Sequence, residues 1–176
     1  MEVMIDIETL STKPNSQIVT IGAIKFLRNK PIEDLEKTEK FYCKIDIASC
    51  KELKFDIDNQ TVKWWKKQPV EARQEVFGLS DRISIREALL GLTEFVQPHT
   101  NIWANSPNFD LVILENAFRQ TELNIPWNFW ELRDCRTVYD IGKVSLRDIT
   151  TETSHNALKD CYNQILCLQL AISNLK

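Results

Sequence analysis

The order of strand-like and helix-like segments predicts an α/β fold with a central mixed sheet. Three observations support this fold class. Near the N-terminus, three segments are rich in β-branched residues. From about residue 60, apolar residues recur at helical spacing. Two further strand-like segments then alternate with helices. The sequence therefore predicts the order βββ-α-β-α-β-α, with a five-stranded sheet flanked by helices.

The three N-terminal strands are expected at residues 2–7, 17–28 and 40–47. Proline, asparagine and serine residues form a turn between the first two. A charged segment, expected to be a surface loop, separates the second strand from the third. Together the three strands are predicted to form an antiparallel meander.

Caps and breakers locate the helices that follow. Residues 59–77 are expected to form two short helices interrupted at Pro69, because proline breaks a helix interior. Residues 84–96 carry one apolar stripe at helical spacing, and Ser84 is a candidate N-cap for this helix.

The rest of the chain adds two short strands and two helices. Strands are expected at residues 101–105 and 128–134. Between them we expect a helix beginning at Pro107, because Ser106 can cap it and proline suits the first helical position. A long, largely apolar helix is expected over residues 156–175.

Length and composition limit the classes of protein. The 176 residues are expected to form one domain, residues 1–176. A formal net charge of −3 argues against simple non-specific coating of nucleic acid, but not against an enzyme that grips one strand end and holds cations. The five cysteines are odd in number and contain no C-x-x-C pair, so we expect reduced thiols. With no signal peptide and no apolar run of the ~18 residues that cross a membrane, a cytoplasmic protein without a membrane partner is expected.

Two acidic residues, Asp6 and Glu8, interrupt the first predicted strand. Because side chains at i and i+2 share one face of a strand, their Cα atoms should lie about 6.6–6.8 Å apart. Two carboxylates held this close in a desolvated site resist double ionisation, and a divalent cation stabilises both. The alternative is a solvated face of an edge strand.

Three more polar residues stand in unusual places. Asp110 begins an apolar stripe that should face the sheet, just after a strand end, where open α/β sheets build sites. The alternative for Asp110 is a favourable interaction with the helix dipole. Asp160 follows His155 by five residues, so both reach one site only if His155 precedes the helix. A solvated Asp160 is the alternative.

These five residues, in this order and context, resemble the motifs of the DEDDh group of DnaQ-like 3′–5′ exonucleases. The segments that carry the resemblance are MIDIETLSTKPNSQIVTIGAI, WANSPNFDLVIL and HNALKDC. The resemblance covers nearly the whole chain. Within the superfamily, the chain most resembles the compact phage, prophage and mycobacterial branch of exoribonucleases and exonuclease-VIII-like proteins. His155 matches the histidine form of the superfamily.

The resemblance implies an RNase H-like fold and a 3′–5′ exonuclease. The implied substrate is single-stranded or 3′-overhanging RNA or DNA, and the implied cofactors are two divalent cations, Mg²⁺ or Mn²⁺. The resemblance also implies that four carboxylates bind the cations and that His155 is the general base. The implied metal-binding residues are Asp6, Glu8, Asp110 and Asp160. Formation of a homo-oligomer is left open.

The resemblance also suggests substrate contacts. In related enzymes the residues after the Asp-x-Glu pair line the pocket for the terminal nucleotide, which assigns Thr9 and Leu10 to substrate binding. A turn residue and a core leucine are the alternatives. Trp64 and Trp65 lie among lysines, an arrangement that suits stacking of single strands, and Trp65 is assigned to substrate binding. At least one of the two is expected to pack its helix onto the sheet.

Other interpretations stay open. Arg133 or Arg136 could contact phosphate, although such a cluster is more often a surface ion-pair network. A catalytically silent relative that binds nucleic acid or protein is one alternative function. An internally cutting nuclease or oligonucleotide hydrolase of the same fold is another.

Overall fold

A mixed sheet of six strands organises the chain. The computed structural model describes residues 1–96, 100–149 and 155–175. Within these residues the strand order is β4-β3-β2-β1-β5-β6. The strands are β1 (Glu2–Thr9), β2 (Ile18–Phe26), β3 (Lys40–Ile45), β4 (Arg82–Ile83), β5 (Ile102–Ala104) and β6 (Leu132–Asp134).

The direction of the strands agrees with the predicted mixed sheet. β1, β2 and β3 pair antiparallel, which confirms the meander. β5 runs parallel to β1, and β6 runs parallel to β5. The sheet has six strands instead of the predicted five because β4, a two-residue strand, pairs parallel with β3. Arg82 holds β4 in place by donating to the carbonyl oxygens of Ile45 at 2.6 Å and Val76 at 2.7 Å.

Six helices lie in the described residues. They are α1 (Asn59–Trp65), α2 (Val70–Phe77), α3 (Ile85–Phe95), α4 (Asp110–Gln120), α5 (Cys135–Gly142) and α6 (Ala157–Ser173). The predicted break at Pro69 separates α1 from α2, and Ser84 caps α3 in a capping box with Glu87. These two predictions are confirmed.

Three details differ from the sequence-based expectation. α4 begins at Asp110 instead of Pro107, because the preceding residues form a turn in which Phe109 N–H donates to the Ser106 carbonyl at 2.9 Å. The predicted strand over residues 128–134 is reduced to β6, since Phe129–Glu131 form a 3₁₀ turn. α5 was not expected; the Asp134 carboxylate caps its N-terminus.

Helices cover both faces of the sheet. On one face, α3 and α4 pack against Ile5 and Ile7 of β1. On the other face, α5 and α6 pack against Met4 of β1 and Ile24 of β2. A third, smaller cluster joins α1 and α2 to the sheet, and its buried members are Leu10, Val19, Trp65 and Val76.

Gly22 allows α6 to lie directly on the sheet. It pairs with Asp6 across β1 and β2. A Cβ atom at Gly22 would lie 2.5 Å from the backbone carbonyl carbon of Ala157, the first residue of α6. Gly142, at the end of α5, allows a similar approach near the other end of α6, where a Cβ would lie 2.7 Å from Ala171. Both ends of α6 are therefore placed by backbone contacts.

The structure also describes the state of the cysteines and the character of the helices. All five cysteines lie in the described residues, where they are buried and form no disulfide. None of the helices within those residues has the length and apolarity needed to cross a membrane.

Candidate active site

Three carboxylates converge where β1 meets the start of α6. Asp6 and Glu8 project from the same face of β1, as strand alternation predicts, and Asp160 lies in the first turn of α6. One carboxylate oxygen from each residue lies within 4.8 Å of the others. This spacing suits a single cation bound by all three, because hard divalent ions prefer carboxylate oxygens.

Asp110 joins the cluster from α4. It is the first residue of the helix and is only 5% exposed. Its Oδ1 accepts a hydrogen bond from the backbone N–H of Ile7 at 3.3 Å, which ties it to the strand between Asp6 and Glu8. Asp110 therefore points towards β1 instead of only capping its own helix.

All five residues proposed from the sequence surround one open cavity of about 400 Å³. We call this the acidic cavity, and its proposed site residues are Asp6, Glu8, Asp110, His155 and Asp160. Asn105, Ser106, Phe109 and Arg136 complete much of its wall. The structure thus brings together residues from the first strand, the middle and the last helix of the described chain.

Burial and mutual repulsion disfavour ionisation of these carboxylates. Burial, followed by the charges of Asp110, Glu8 and Asp160, raises the pKa of Asp6 well above its ordinary value. Burial, followed by the charges of Asp160 and Asp110, raises the pKa of Glu8 to about 8. Such a group of carboxylates can all ionise near neutral pH only if a positive charge compensates them.

The pKa of Asp110 results from opposing effects. Burial raises it, hydrogen bonds from the backbone N–H groups of Ile7 and Asp110 itself lower it, and the net value is about 7. The positive charge of Arg136 also lowers it. Arg136 was considered for phosphate contact from the sequence, and the structure places it at the acidic cavity.

Gln164 is a contact of the site that the sequence analysis did not identify. It lies on α6 near Asp160, and its Nε2 donates a hydrogen bond to Oδ1 of Asp6 at 2.7 Å. Its own Oε1 is buried and has no hydrogen-bond partner among the described residues. The signal in the sequence was a polar residue one turn after Asp160 on an otherwise small, apolar face of the helix.

His155 lies immediately before α6, as the prediction required. Asn156 caps the helix by accepting a hydrogen bond from Lys159 N–H at 3.0 Å. His155 has a φ of 44°, in the left-handed region that side chains rarely adopt. Its ring meets Trp64 edge-on at 4.8 Å and Trp65 at 5.8 Å between centroids. These ring contacts link the start of α6 to the end of α1.

A second cavity of about 550 Å³ adjoins the first. We call it the aromatic pocket, because Trp64, Trp65 and Phe109 line it. It shares Ile7, Glu8 and Phe109 with the acidic cavity, so the two cavities adjoin at these residues. A nucleobase has the size and aromatic character to fill such a pocket.

The residues assigned to substrate binding occupy different environments. Thr9 lines the aromatic pocket, but its side chain is buried and donates to the Ser11 carbonyl at 2.8 Å. Leu10 is only 7% exposed, packs in the third apolar cluster and lines neither cavity. Leu10 thus has the environment of the core leucine given above as the alternative, because it is buried in the same apolar cluster as Val19, and its contact with a substrate base stays a prediction.

The two adjacent tryptophans differ in exposure. Trp65 is 3% exposed, and its Nε1 donates to the Thr9 carbonyl at 2.9 Å, so this is the tryptophan that packs α1 onto the sheet. Trp64 is 43% exposed and presents the freer surface to the aromatic pocket. Trp65 lines the pocket as a fixed wall, and Trp64 is the residue that the sequence analysis did not select.

Three comparisons relate this site to known proteins. Residues 1–172 match the model of a family described as Rv2179c-like, the 3′–5′ exoribonuclease Rv2179c-like domain. An exodeoxyribonuclease of Enterobacteria phage T4 is 24% identical over an alignment of 208 positions, which covers 96% of this chain and 88% of the phage protein.

Two solved structures share the fold. The zinc-bound E. coli ExoI–ssDNA complex aligns with a TM-score of 0.66 and 21% identity over 97% of this chain. Cell-death related nuclease 4 (CRN-4) aligns with a TM-score of 0.65 and 14% identity, also over 97% of this chain. This chain covers 40% of the ExoI chain and 63% of the CRN-4 chain. The RNase H-like fold implied by the resemblance is confirmed.

Proposed function

The chain belongs to the family of Rv2179c-like 3′–5′ exoribonuclease domains and is an exonuclease of that class, and on this premise we propose its detailed reaction. It removes nucleoside 5′-monophosphates from the 3′ end of single-stranded or 3′-overhanging RNA or DNA. The observation that carries this proposal is the convergence of Asp6, Glu8 and Asp160, with ligand oxygens within 4.8 Å, beside Asp110 and His155.

The carboxylates fit a pair of divalent cations, Mg²⁺ or Mn²⁺. Asp6, Glu8 and Asp160 would hold one ion, and Asp6 and Asp110 would hold the second. The raised pKa values of Asp6, Glu8 and Asp110 support this fit, because burial disfavours each charged carboxylate and a bound cation would compensate that charge. When bound, the two ions stabilise the attacking and leaving oxygens of an in-line displacement at phosphorus.

The protein side chains orient the substrate and move the proton. His155 lines the acidic cavity and accepts a proton from the attacking water as general base, a role suited to imidazole near neutral pH. Gln164 fixes the Asp6 carboxylate through the 2.7 Å hydrogen bond. Arg136 adds a positive charge to the cavity wall and contacts the phosphate backbone.

The aromatic pocket receives the terminal nucleoside. Its tryptophan and phenylalanine rings offer stacking surfaces, which bind bases with little sequence preference. The family is described by exoribonuclease activity and the phage relative as an exodeoxyribonuclease. Strands of RNA and of DNA are therefore both candidate substrates of this one site.

The decisive experiment follows a 5′-labelled strand. Matched RNA and DNA strands are incubated with Mg²⁺ or Mn²⁺, and a descending ladder is expected for at least one of them. Asp6→Asn should abolish the ladder, because this change removes a charged ligand shared by both ions. Asp34→Asn removes the same charge from an exposed loop residue and should leave the ladder intact.

Three outcomes would contradict the proposal. An uncut strand with the unaltered protein would indicate a binding protein. Discrete internal bands would indicate an enzyme that cuts within the strand. Full activity of Asp6→Asn would show that the acidic cavity is not the catalytic site.

A further inference from the structure

Trp64 and His155 meet where the two cavities adjoin. His155 lines the acidic cavity, and Trp64 lines the aromatic pocket. Their ring centroids lie 4.8 Å apart with an interplanar angle of 80°, an edge-to-face contact. One ring therefore belongs to the acidic cavity and the other to the aromatic pocket, and the two rings are in contact.

The neighbouring contacts make Trp64 the adjustable member of this group. Trp65 is held by its hydrogen bond to the Thr9 carbonyl and by an edge contact with Phe77 at 5.2 Å. Trp64 contacts Trp65 at 5.1 Å but keeps 43% of its surface exposed. A base that enters the aromatic pocket would cover the exposed part of Trp64 and restrict its rotamers.

We propose that Trp64 is a positioning residue that couples occupancy of the aromatic pocket to the orientation of His155. The inference rests on the proposed exonuclease function and deepens it. A base stacked in the pocket fixes the Trp64 indole, and the edge contact then holds the His155 imidazole over the acidic cavity. Hydrolysis is therefore fast only when the terminal nucleotide carries a base, even if its phosphate is bound correctly.

The first test is a double-mutant cycle in single-turnover rates at saturating strand and metal. Trp64→Ala should lower the rate by about 10–100-fold, the cost of misplacing a reacting group by about 1 Å. Trp64→Phe should keep most of the rate, because phenylalanine can make the same edge contact. In a His155→Ala background, Trp64→Ala should have no further effect, because its influence passes through the imidazole.

The second test uses a strand whose 3′-terminal nucleotide lacks a base. The unaltered protein should cleave it about as slowly as Trp64→Ala cleaves an ordinary strand. Trp64→Ala should show a much smaller difference between the two strands. Trp130→Ala, which removes another exposed indole outside both cavities, serves as the control and should behave like the unaltered protein.

Several results would overturn the inference. One is an unchanged single-turnover rate for Trp64→Ala. Another is a full additional loss when Trp64→Ala is combined with His155→Ala, and a third is recovery of the Trp64→Ala rate simply by adding more strand. Retained Mn²⁺ binding by calorimetry and an unchanged melting temperature would show that the variants are folded. If the unaltered protein does not cleave, the proposed function fails; if it cleaves and only Trp64 lacks the expected effect, this inference alone fails.

Discussion

Asp6 is the residue on which the contacts of the acidic cavity converge. Gln164 donates to its Oδ1, and Gly22 lies opposite it on the neighbouring strand β2. Burial, followed by the charges of three other carboxylates, raises its pKa. A half-buried carboxylate with one oxygen held by an amide is oriented in advance, which would lower the cost of ordering it around the proposed cation. The arrangement at this residue is thus typical of a preorganised ligand.

Substitution of His155 tests its proposed role as the general base. His155→Ala should slow single-turnover cleavage by about 10²–10⁴-fold, the usual contribution of a general base. Metal binding should be retained, because the proposed ligands are carboxylates. Rapid-quench measurement of the first turnover, together with Mn²⁺ titration by calorimetry, checks both statements. A normal first turnover would show that the imidazole does not accept the proton.

The residues that could be identified from the sequence are those with a local signature. Asp6 and Glu8 stand out because acidic residues at i and i+2 mark one face of a strand. Gln164 has no such signature, since its role depends on a partner 158 positions away. The difference between Trp64 and Trp65 also could not be predicted, because a short helix with two adjacent indoles gives no sign of which one faces the sheet.

The contact between the strand β2 and the helix α6 sets the distance between the carboxylates of the acidic cavity. Gly22 lies in the middle of β2, and the first turn of α6 rests on it without an intervening side chain. This close approach brings Asp160 within reach of Asp6 and Glu8. A larger residue at Gly22 would separate the carboxylates, whatever its effect on the rest of the fold.

Two glycine substitutions test this role of the element contact. Gly22→Ala would place a Cβ 2.5 Å from Ala157, so it should displace the start of α6 and lower the rate of cleavage and the affinity for Mn²⁺ by at least about 10-fold. Gly142→Ala is the matched control, because its Cβ would lie 2.7 Å from Ala171 near the other end of α6. Both should lower the melting temperature, but Gly142→Ala should lose less activity.

The comparison of the two variants can contradict the interpretation. Equal losses of Mn²⁺ affinity at equal losses of stability would mean that the site responds to general destabilisation. A Gly22→Ala protein with normal cleavage would mean that α6 tolerates displacement.

Most elements follow from periodicity and capping, and the exceptions have physical reasons. The meander and α3 were predicted because alternation and a capping box are local patterns. β4 has only two residues, which is too short to show alternation, and Arg82 holds it through long-range hydrogen bonds. α5 was missed because its first residues read as a charged cluster, while its cap, Asp134, also ends a strand.

For the whole molecule, the buried carboxylates make stability depend on pH. The pKa values of Glu8, about 8, and Asp110, about 7, exceed the ordinary values of 4.5 and 3.8. Between the ordinary pKa and the raised pKa of each group, the folded metal-free protein binds more protons than the unfolded chain. Its free energy of unfolding therefore falls as the pH rises from about 4 to about 8. Carboxylates with a lowered pKa, such as Asp56 and Glu87, act at lower pH and in the opposite direction.

Calorimetric melting in the presence of a chelator tests this expectation. The melting temperature should be lower at pH 8.5 than at pH 5.5, because Glu8 and Asp110 must both ionise in the folded protein over this range. Mn²⁺ should raise it more at pH 8.5, because protonated carboxyls do not bind the ion. Glu8→Gln should reduce the pH dependence. A metal-free protein that becomes more stable with rising pH over this range would contradict the assignment.

The hydrogen bond between Asp6 and Gln164 spans 158 positions, and this separation has a consequence during translation. At ~5–20 residues per second, a ribosome needs about 8–30 s between making these two residues. Until α6 has emerged, the nascent polypeptide holds an incomplete set of ligands and should have no nuclease activity. A chain stalled before that point should therefore leave nearby 3′ ends of nucleic acid uncut.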